Sequence, residues 1–415
     1  MKKILSMICL LLSTTLFMVG CSQKEENYKM ENLLRVDRNK LVDNNGKEVI
    51  LRGVNLGGWL LQESWMCPVI GEDREWANLD TLTVLESRFT KEQVQELLNT
   101  YQEHWITEED IKNISEMGCN VVRVPFWYRN FMLDEQGTWI NEDFDQNPGF
   151  VKLDWIIKMA EKYDMYVILD MHGCPGGQSM DHSTGTLSEN RLYTDEVCQD
   201  TMETLWVAIA NRYKNNSTVA AYDIMNEPQN NSGYEGANSY DPWEKTSWEM
   251  SNKIYDRMIK AIRAIGDEHV ITVEGIWRVS NLPNPKSMGW TNMMYQLHLY
   301  DDDKGFKQWA EDLAEVAKNY GVAGYIGEFQ NLSGLSVCNE NNLSWTTWTY
   351  KGTNEDHSTF FCYYGDVERA DIINDSFDTI QEKWGEAIET KNFKNKMNVT
   401  ASIKLYSTGY IYTEE

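Results

Sequence analysis

The chain has 415 residues, 42% of them hydrophobic and 12% aromatic, enough to bury a large core and suited to one α/β barrel with long loops. Its net charge of −26 repels phosphate, which argues against nucleic acid or an anionic membrane surface as partner. The charge suits a neutral or cationic substrate, or simply solubility.

Lys2 and Lys3 precede an apolar stretch from Ile4 to Val19, the pattern of a targeting segment rather than of fold. It ends Met18-Val19-Gly20-Cys21, similar to a bacterial lipoprotein cleavage box, with Met18 where leucine is usual. We expect a signal peptide over 1–21, a lipidated Cys21, a polar tether over 22–32 and a body outside the cytoplasm. The membrane would then be met only through the lipid anchor; an uncleaved anchor is the alternative.

Residues 32–49 predict a small hairpin turning at Asp43-Asn44-Asn45-Gly46. Beyond it, apolar runs at 50–56, 120–126, 166–171, 221–226, 269–274, 293–299, 323–327 and 343–350 alternate with amphipathic stretches. Those stretches include 108–117, 151–163, 195–213, 248–265 and 306–320. Strands alternating with helices predict a closed (β/α)8 TIM barrel over 33–390, with the eighth strand and its helix the least defined, somewhere in 366–384. The interruption at 64–90 falls between the first strand and its helix, on the active-site face of a barrel. Residues 391–415 read as a short, partly β-like extension with no assigned role.

With Cys9 and Cys21 in the leader, Cys67, Cys119, Cys174, Cys198, Cys338 and Cys362 remain, without Cys-x-x-Cys spacing, so a zinc ribbon is not expected. Cys119 opens a strand and reads as a core thiol. The sixteen tryptophans serve equally as core and as platforms for sugar rings.

Two glutamates sit where apolar strands run out: Glu227 at the end of the fourth and Glu328 at the end of the seventh. A carboxylate there is costly unless paired or used, and two across a cleft suit the paired carboxylates of a retaining glycosidase. Arg123, a charge inside an apolar strand, needs a carboxylate partner. His298 and Tyr300 share one face of a strand by period two, as do Asp170 and His172. The six histidines are scattered, without His-x-His, so no metal site is expected. Gly-x-Ser-x-Gly is absent, which excludes a serine-hydrolase elbow.

Six motifs in order carry a resemblance. They are Arg52-Gly53-Val54-Asn55-Leu56-Gly57-Gly58-Trp59; Trp105-Ile106-Thr107-Glu108-Glu109-Asp110 with Val122-Arg123-Val124-Pro125; His172-Gly173-Cys174-Pro175-Gly176-Gly177-Gln178; Asn226-Glu227-Pro228; His298-Leu299-Tyr300; and Gly327-Glu328-Phe329. From about residue 52 to 351 the chain resembles glycoside hydrolase family 5, the cellulase-type family of retaining β-glycosidases, nearest its exo-β-1,3-glucanase-like branch. The resemblance implies Glu227 as general acid and base and Glu328 as nucleophile, oriented by Arg123 and Tyr300. It implies Asn226 on the sugar 2-hydroxyl, His172 and His298 lining the same subsite, and Trp348 stacking on the sugar, with Trp345 the alternative. Glu63 matches a glutamate that contacts a terminal glucose.

Ser179-Met180-Asp181-His182 stands where that branch has a gating phenylalanine, and the stretch from Glu328 to Trp348 is short where it has a long insertion. A shorter loop would open the cleft to other linkages. The expected activity is therefore exo-β-1,3-glucanase or β-glucosidase-like, on a β-linked oligo- or polysaccharide, without cofactor, by a monomer. An endo-β-glucanase or β-mannan hydrolase on the same barrel competes with it, and so does a non-catalytic carbohydrate-binding surface protein.

Overall fold

The computed structural model describes residues 32–71, 76–229, 245–275, 277–353 and 361–413. The expected signal peptide, its Cys21 and all but the end of the tether lie outside these residues. Eight parallel strands close a barrel in chain order: Arg52–Asn55, Val121–Trp127, Tyr166–Gly173, Val219–Asp223, Val270–Glu274, Met293–Leu299, Ala323–Phe329 and Ser344–Thr347, which pairs back with the first. The strands are buried on both faces, so their sequences read as continuous apolar runs rather than as alternation.

Helices Glu108–Glu116, Pro148–Lys162, Glu196–Tyr213, Lys245–Ala264 and Asp303–Tyr320 fall on the predicted amphipathic stretches. Their starts follow from local chemistry. Asn147 accepts from the Gly149 N–H ahead of Pro148, and Asp302 accepts from the Gly305 N–H.

Several elements differ from the sequence reading. The N-terminal hairpin is a three-stranded antiparallel meander, Arg35–Asp37, Lys40–Val42 and Glu48–Val49, and Asp43 anchors the expected turn by accepting from the Asn45 and Lys47 N–H groups. Leu34 and Leu41 of this meander pack against Val121, Ile168 and Val270, closing the N-terminal mouth of the barrel. The 64–90 interruption carries a short strand, Val69–Ile70, and a helix, Asn78–Arg88.

The eighth strand is Ser344–Thr347, within the apolar run at 343–350 and not in 366–384. That region supplies Ala370–Asp371, which pairs with Val69–Ile70, and the helix Phe377–Trp384, whose Trp384 packs edge-on to Tyr101 at 5.4 Å. The closing helix is Met397–Ser407, inside the stretch read as an extension. It packs on the first barrel strand and on helix Gly334–Glu340, buries Val399 and Ile403, and has the carbonyls of Tyr406 and Tyr410 held by the Asn339 amide. The helix Met397–Ser407 is therefore part of the barrel rather than an extension of it. Cys67, Cys119, Cys174, Cys198, Cys338 and Cys362 are free, buried thiols. No described helix is long and apolar enough to cross a membrane.

Candidate active site

At the C-terminal ends of the strands the polar side chains organise around Arg123, which is fully buried on the second strand. Its guanidinium reaches Asp223 Oδ2 at 2.9 Å, Asp170 Oδ1 at 3.1 Å and Glu328 Oε1 at 2.7 Å. It also donates to Asn55 Oδ1 at 3.0 Å and Asn226 Oδ1 at 2.9 Å. The buried charge that needed one carboxylate partner has three, from the third, fourth and seventh strands.

Glu328 is set by a register slip. Pairing between the sixth and seventh strands shifts after Leu297, so His298 stands opposite Glu328 rather than Gly327. Gly327 has no room for a side chain: a Cβ there would lie 2.2 Å from Gln296 Oε1 and 2.8 Å from His298 Nε2. One Glu328 oxygen accepts from Arg123, and the other accepts from the Tyr300 hydroxyl at 2.7 Å.

Glu227 does not end the fourth strand, which stops at Asp223; it follows on the turn beyond, with φ at +41°. A non-glycine residue is held there only when its surroundings over-determine it. Its N–H donates to Glu274 Oε2 at 2.8 Å, and its Oε1 lies 2.9 Å from His298 Nδ1. The same nitrogen is 3.6 Å from Glu328 Oε2. The two carboxylate oxygens therefore stand at most about 6.5 Å apart, the sum of the two reaches from one atom.

The electrostatics separate the two glutamates. Burial pushes the Glu227 carboxyl up to about 7, with the Glu63 charge adding to the rise and His172 and Arg123 opposing it. Burial also drives His298 down to about 3, so the imidazole between the glutamates is neutral near neutral pH. Burial works against a charged His172, but Asp170, 2.7 Å from its Nδ1, raises it above the ordinary value. Burial carries Asp223 up to about 7 in spite of Arg123, and Glu274 well above the carboxylate range, helped by the Glu227 charge.

A cavity of about 280 Å³ opens over these groups. It is lined by the predicted Glu63, His172, Glu227, Tyr300, Glu328 and Trp348. Trp65, Asp181, Ser183, Trp277 and Gln330 line it too and were not anticipated. A larger hollow of about 1040 Å³ flanks helix Lys91–Trp105 but contains none of the clustered carboxylates, so the chemistry belongs to the smaller one.

Trp348 stacks on His172 with ring centroids 5.4 Å apart and 11° between planes, whereas Trp345 is fully buried in the core. The bond from Arg123 to Asn226 Oδ1 turns the amide so that its NH2 is the outward donor. Gln178 of the third-strand motif donates to the carbonyls of both His172 and Asn226, tying the third strand's end to the turn that bears Glu227. Glu63 accepts from the Trp65 indole at 2.9 Å and lies 3.5 Å from His182.

Sequence reading missed Asp170, Asp223 and Glu274 as members of the cluster. Asp170 was visible as the period-two neighbour of His172, and Glu274 carried the signal used for Glu227 and Glu328, a glutamate where an apolar strand ends. Among the described residues, Glu227, Glu274 and His298 form the one set whose ligand atoms, all within 4.8 Å of one another, could approach a cation.

A family model described as cellulase (glycosyl hydrolase family 5) matches residues 86–366, and the chain belongs to that family. It is similar to a β-xylosidase of Phanerodontia chrysosporium, 26% identical over 77% of this chain and 70% of that protein. It is also similar to a glucan 1,3-β-glucosidase of Blumeria graminis, 31% identical over 47% of this chain and 44% of the relative, so the match spans less than half of that protein. The crystal structure of a rutinosidase from Aspergillus niger superposes with a TM-score of 0.54 at 18% identity, covering 74% of this chain and 90% of that one, a likeness of fold.

Proposed function

We propose that this glycoside hydrolase is a retaining β-glycosidase acting from the chain end on β-glucans or β-glucosides, with Glu328 as nucleophile and Glu227 as acid and base. One observation carries the reading: a single neutral imidazole nitrogen, His298 Nδ1, lies 2.9 Å from one glutamate and 3.6 Å from the other. The resulting limit of about 6.5 Å lies at the short end of the separations of about 6.5–9.5 Å at which inverting enzymes seat a water, and supports direct attack by one of them. The relatives named as glucan 1,3-β-glucosidases support the β-glucan choice.

In the first step a Glu328 oxygen bonds to the anomeric carbon while the Glu227 proton passes to the departing glycosidic oxygen. Arg123 and Tyr300 donate to Glu328, so both its oxygens are presented as acceptors and the attacking one is aimed. In the second step Glu227, now ionised, takes a proton from water as that water displaces Glu328 from the sugar. Asn226, with its Oδ1 held by Arg123, keeps its NH2 to donate to a 2-hydroxyl, and Trp348, stacked on His172, is the ring for the sugar.

The test is the protein without residues 1–21 against β-linked glucans, β-mannan, their oligosaccharides and aryl β-glucoside and β-xyloside, with products resolved over time. Steady glucose release from laminarin-type chains is expected. An oligosaccharide ladder would make the enzyme endo-acting. Preferential release of xylose would favour a pentoside substrate, the second reading, which the long match to a β-xylosidase supports. No product with binding retained would overturn catalysis altogether. We further propose that the body is held outside the cytoplasm by lipid on Cys21, a reading supported by the Lys2, Lys3 and apolar leader and checked by mass spectrometry of the mature N-terminus.

A further inference from the structure

Glu274 ends the fifth barrel strand, nearly buried, and neither the mechanism above nor any motif uses it. Its Oε2 accepts the Glu227 N–H at 2.8 Å, so it holds a peptide whose left-handed backbone has to be maintained. Tyr255 fixes Glu274 in turn: the phenolic oxygen accepts from the Glu274 N–H at 3.2 Å, and the hydroxyl is within 3.1 Å of the Glu274 carbonyl and 3.5 Å of the Met225 carbonyl on the neighbouring turn. The side chain also faces the far side of the imidazole that touches Glu227. His298 Nε2 is 3.7 Å from Glu274 Oε2 while Nδ1 is 2.9 Å from Glu227 Oε1.

Resting on Glu227 as the acid and base, we propose that Glu274 is a positioning residue for the acid step, gripping the Glu227 peptide and holding one proton in common with its carboxyl. One oxygen of each carboxylate lies within 4.8 Å of the other and of the imidazole. The balance is simple: while the proton is on Glu227 the negative charge is on Glu274, and the reverse. Two carboxylates this close in a buried site do not both ionise readily, so the pair keeps its last proton to higher pH than either would alone. Burial and the Glu227 charge raise Glu274 in the same sense.

Other groups act on Glu227, on Glu274 or on the imidazole beside them and set the background. They are Arg123, Asp170, His172 and Asp223 from the second to fourth strands, His298, Tyr300 and Glu328 from the sixth and seventh, and Glu63 and Asp181 from the loops. Glu274 differs from all of these in bonding the Glu227 main chain while standing beside its imidazole partner.

The test is Glu274→Gln, which keeps an oxygen for the Glu227 N–H but cannot ionise. The readout is the pH profile of kcat/KM on an unactivated β-glucoside, beside an aryl β-glucoside whose leaving group needs no proton. The basic limb on the unactivated substrate should move about one pH unit lower, an activity loss of about tenfold on that side, while the activated substrate changes less than about threefold. A basic limb identical to wild type would overturn the proposal, and so would equal losses on both substrates, which mark a merely structural residue. An infrared pH titration of the wild-type enzyme tests the pair without a substitution. A buried carboxylic acid band that persists to the basic limb and vanishes with it is expected; its loss well below the limb would overturn the sharing. Glu227→Ala is the control: full activity on the unactivated substrate would sink the acid assignment itself, whatever Glu274→Gln does.

Discussion

Tyr300→Phe isolates one bond to Glu328, the proposed nucleophile. The ring is 48% exposed at the cavity, while its hydroxyl donates inward to Glu328 Oε2 at 2.7 Å. Glu328 loses negative charge as it forms the glycosyl ester and regains it as water releases the sugar. A donor on that oxygen is therefore worth most in the second step. A hydrogen bond to a charged group contributes about 1.5–3 kcal/mol, so deglycosylation should slow about 10- to 150-fold. Arg123 still holds the other oxygen, and the half-exposed ring gives up little burial, so folding stability should change by less than about 0.5 kcal/mol. The assay is an aryl β-glucoside with an activated leaving group, which makes the second step limiting. kcat and KM should fall together, kcat/KM should hold within about fivefold, and a glycosyl adduct on the Glu328 peptide should accumulate. A fall in kcat/KM with KM unchanged, or no fall in kcat, would refute the assignment of the nucleophile and its donor.

Glu328→Gln should abolish turnover on every substrate with melting unchanged, whereas Glu227→Ala should lose unactivated glycosides and spare activated ones; equal losses on both would contradict the acid role. Activity on unactivated glucosides should decline as pH rises through about 7, where Glu227 sheds the proton that burial keeps on it. The linkage has the same sign: the folded protein binds this proton where the unfolded chain has lost it, so this group's contribution to stability falls as pH rises from the ordinary glutamate range to about 7. Arg123→Met leaves Asp170, Asp223 and Glu328 without their shared cation and should cost about 3–5 kcal/mol in urea denaturation near neutral pH, less under acid; an unchanged midpoint would show that the cation is not needed for folding.

The barrel strands were legible because burial on both faces writes them as apolar runs bounded by polar residues, a signal that survives without tertiary knowledge. The closing helix was not. Met397–Ser407 carries Val399, Thr400 and Ile403, β-branched residues that read as strand, and its helicity comes from the face it buries against the first barrel strand rather than from its own propensity. The site divides in the same way. Glu227, Glu274 and Glu328 all follow the end of an apolar run, so strand endings alone cannot rank them; the Asn-Glu-Pro and Gly-Glu-Phe motifs singled out two. What distinguishes the third is geometry: a slip after Leu297 brings His298 opposite Glu328, and a left-handed turn carries Glu227 past the end of its strand onto Glu274. Arg123 makes the point from the other side. Its sequence demanded a partner; Asp170 and Asp223 arrive from the next two strands in the sheet, but Glu328 becomes a neighbour only when the eighth strand pairs with the first and the barrel closes. The two glutamates proposed to react can thus be read along the chain, while the residues that set their protonation belong to the register between strands.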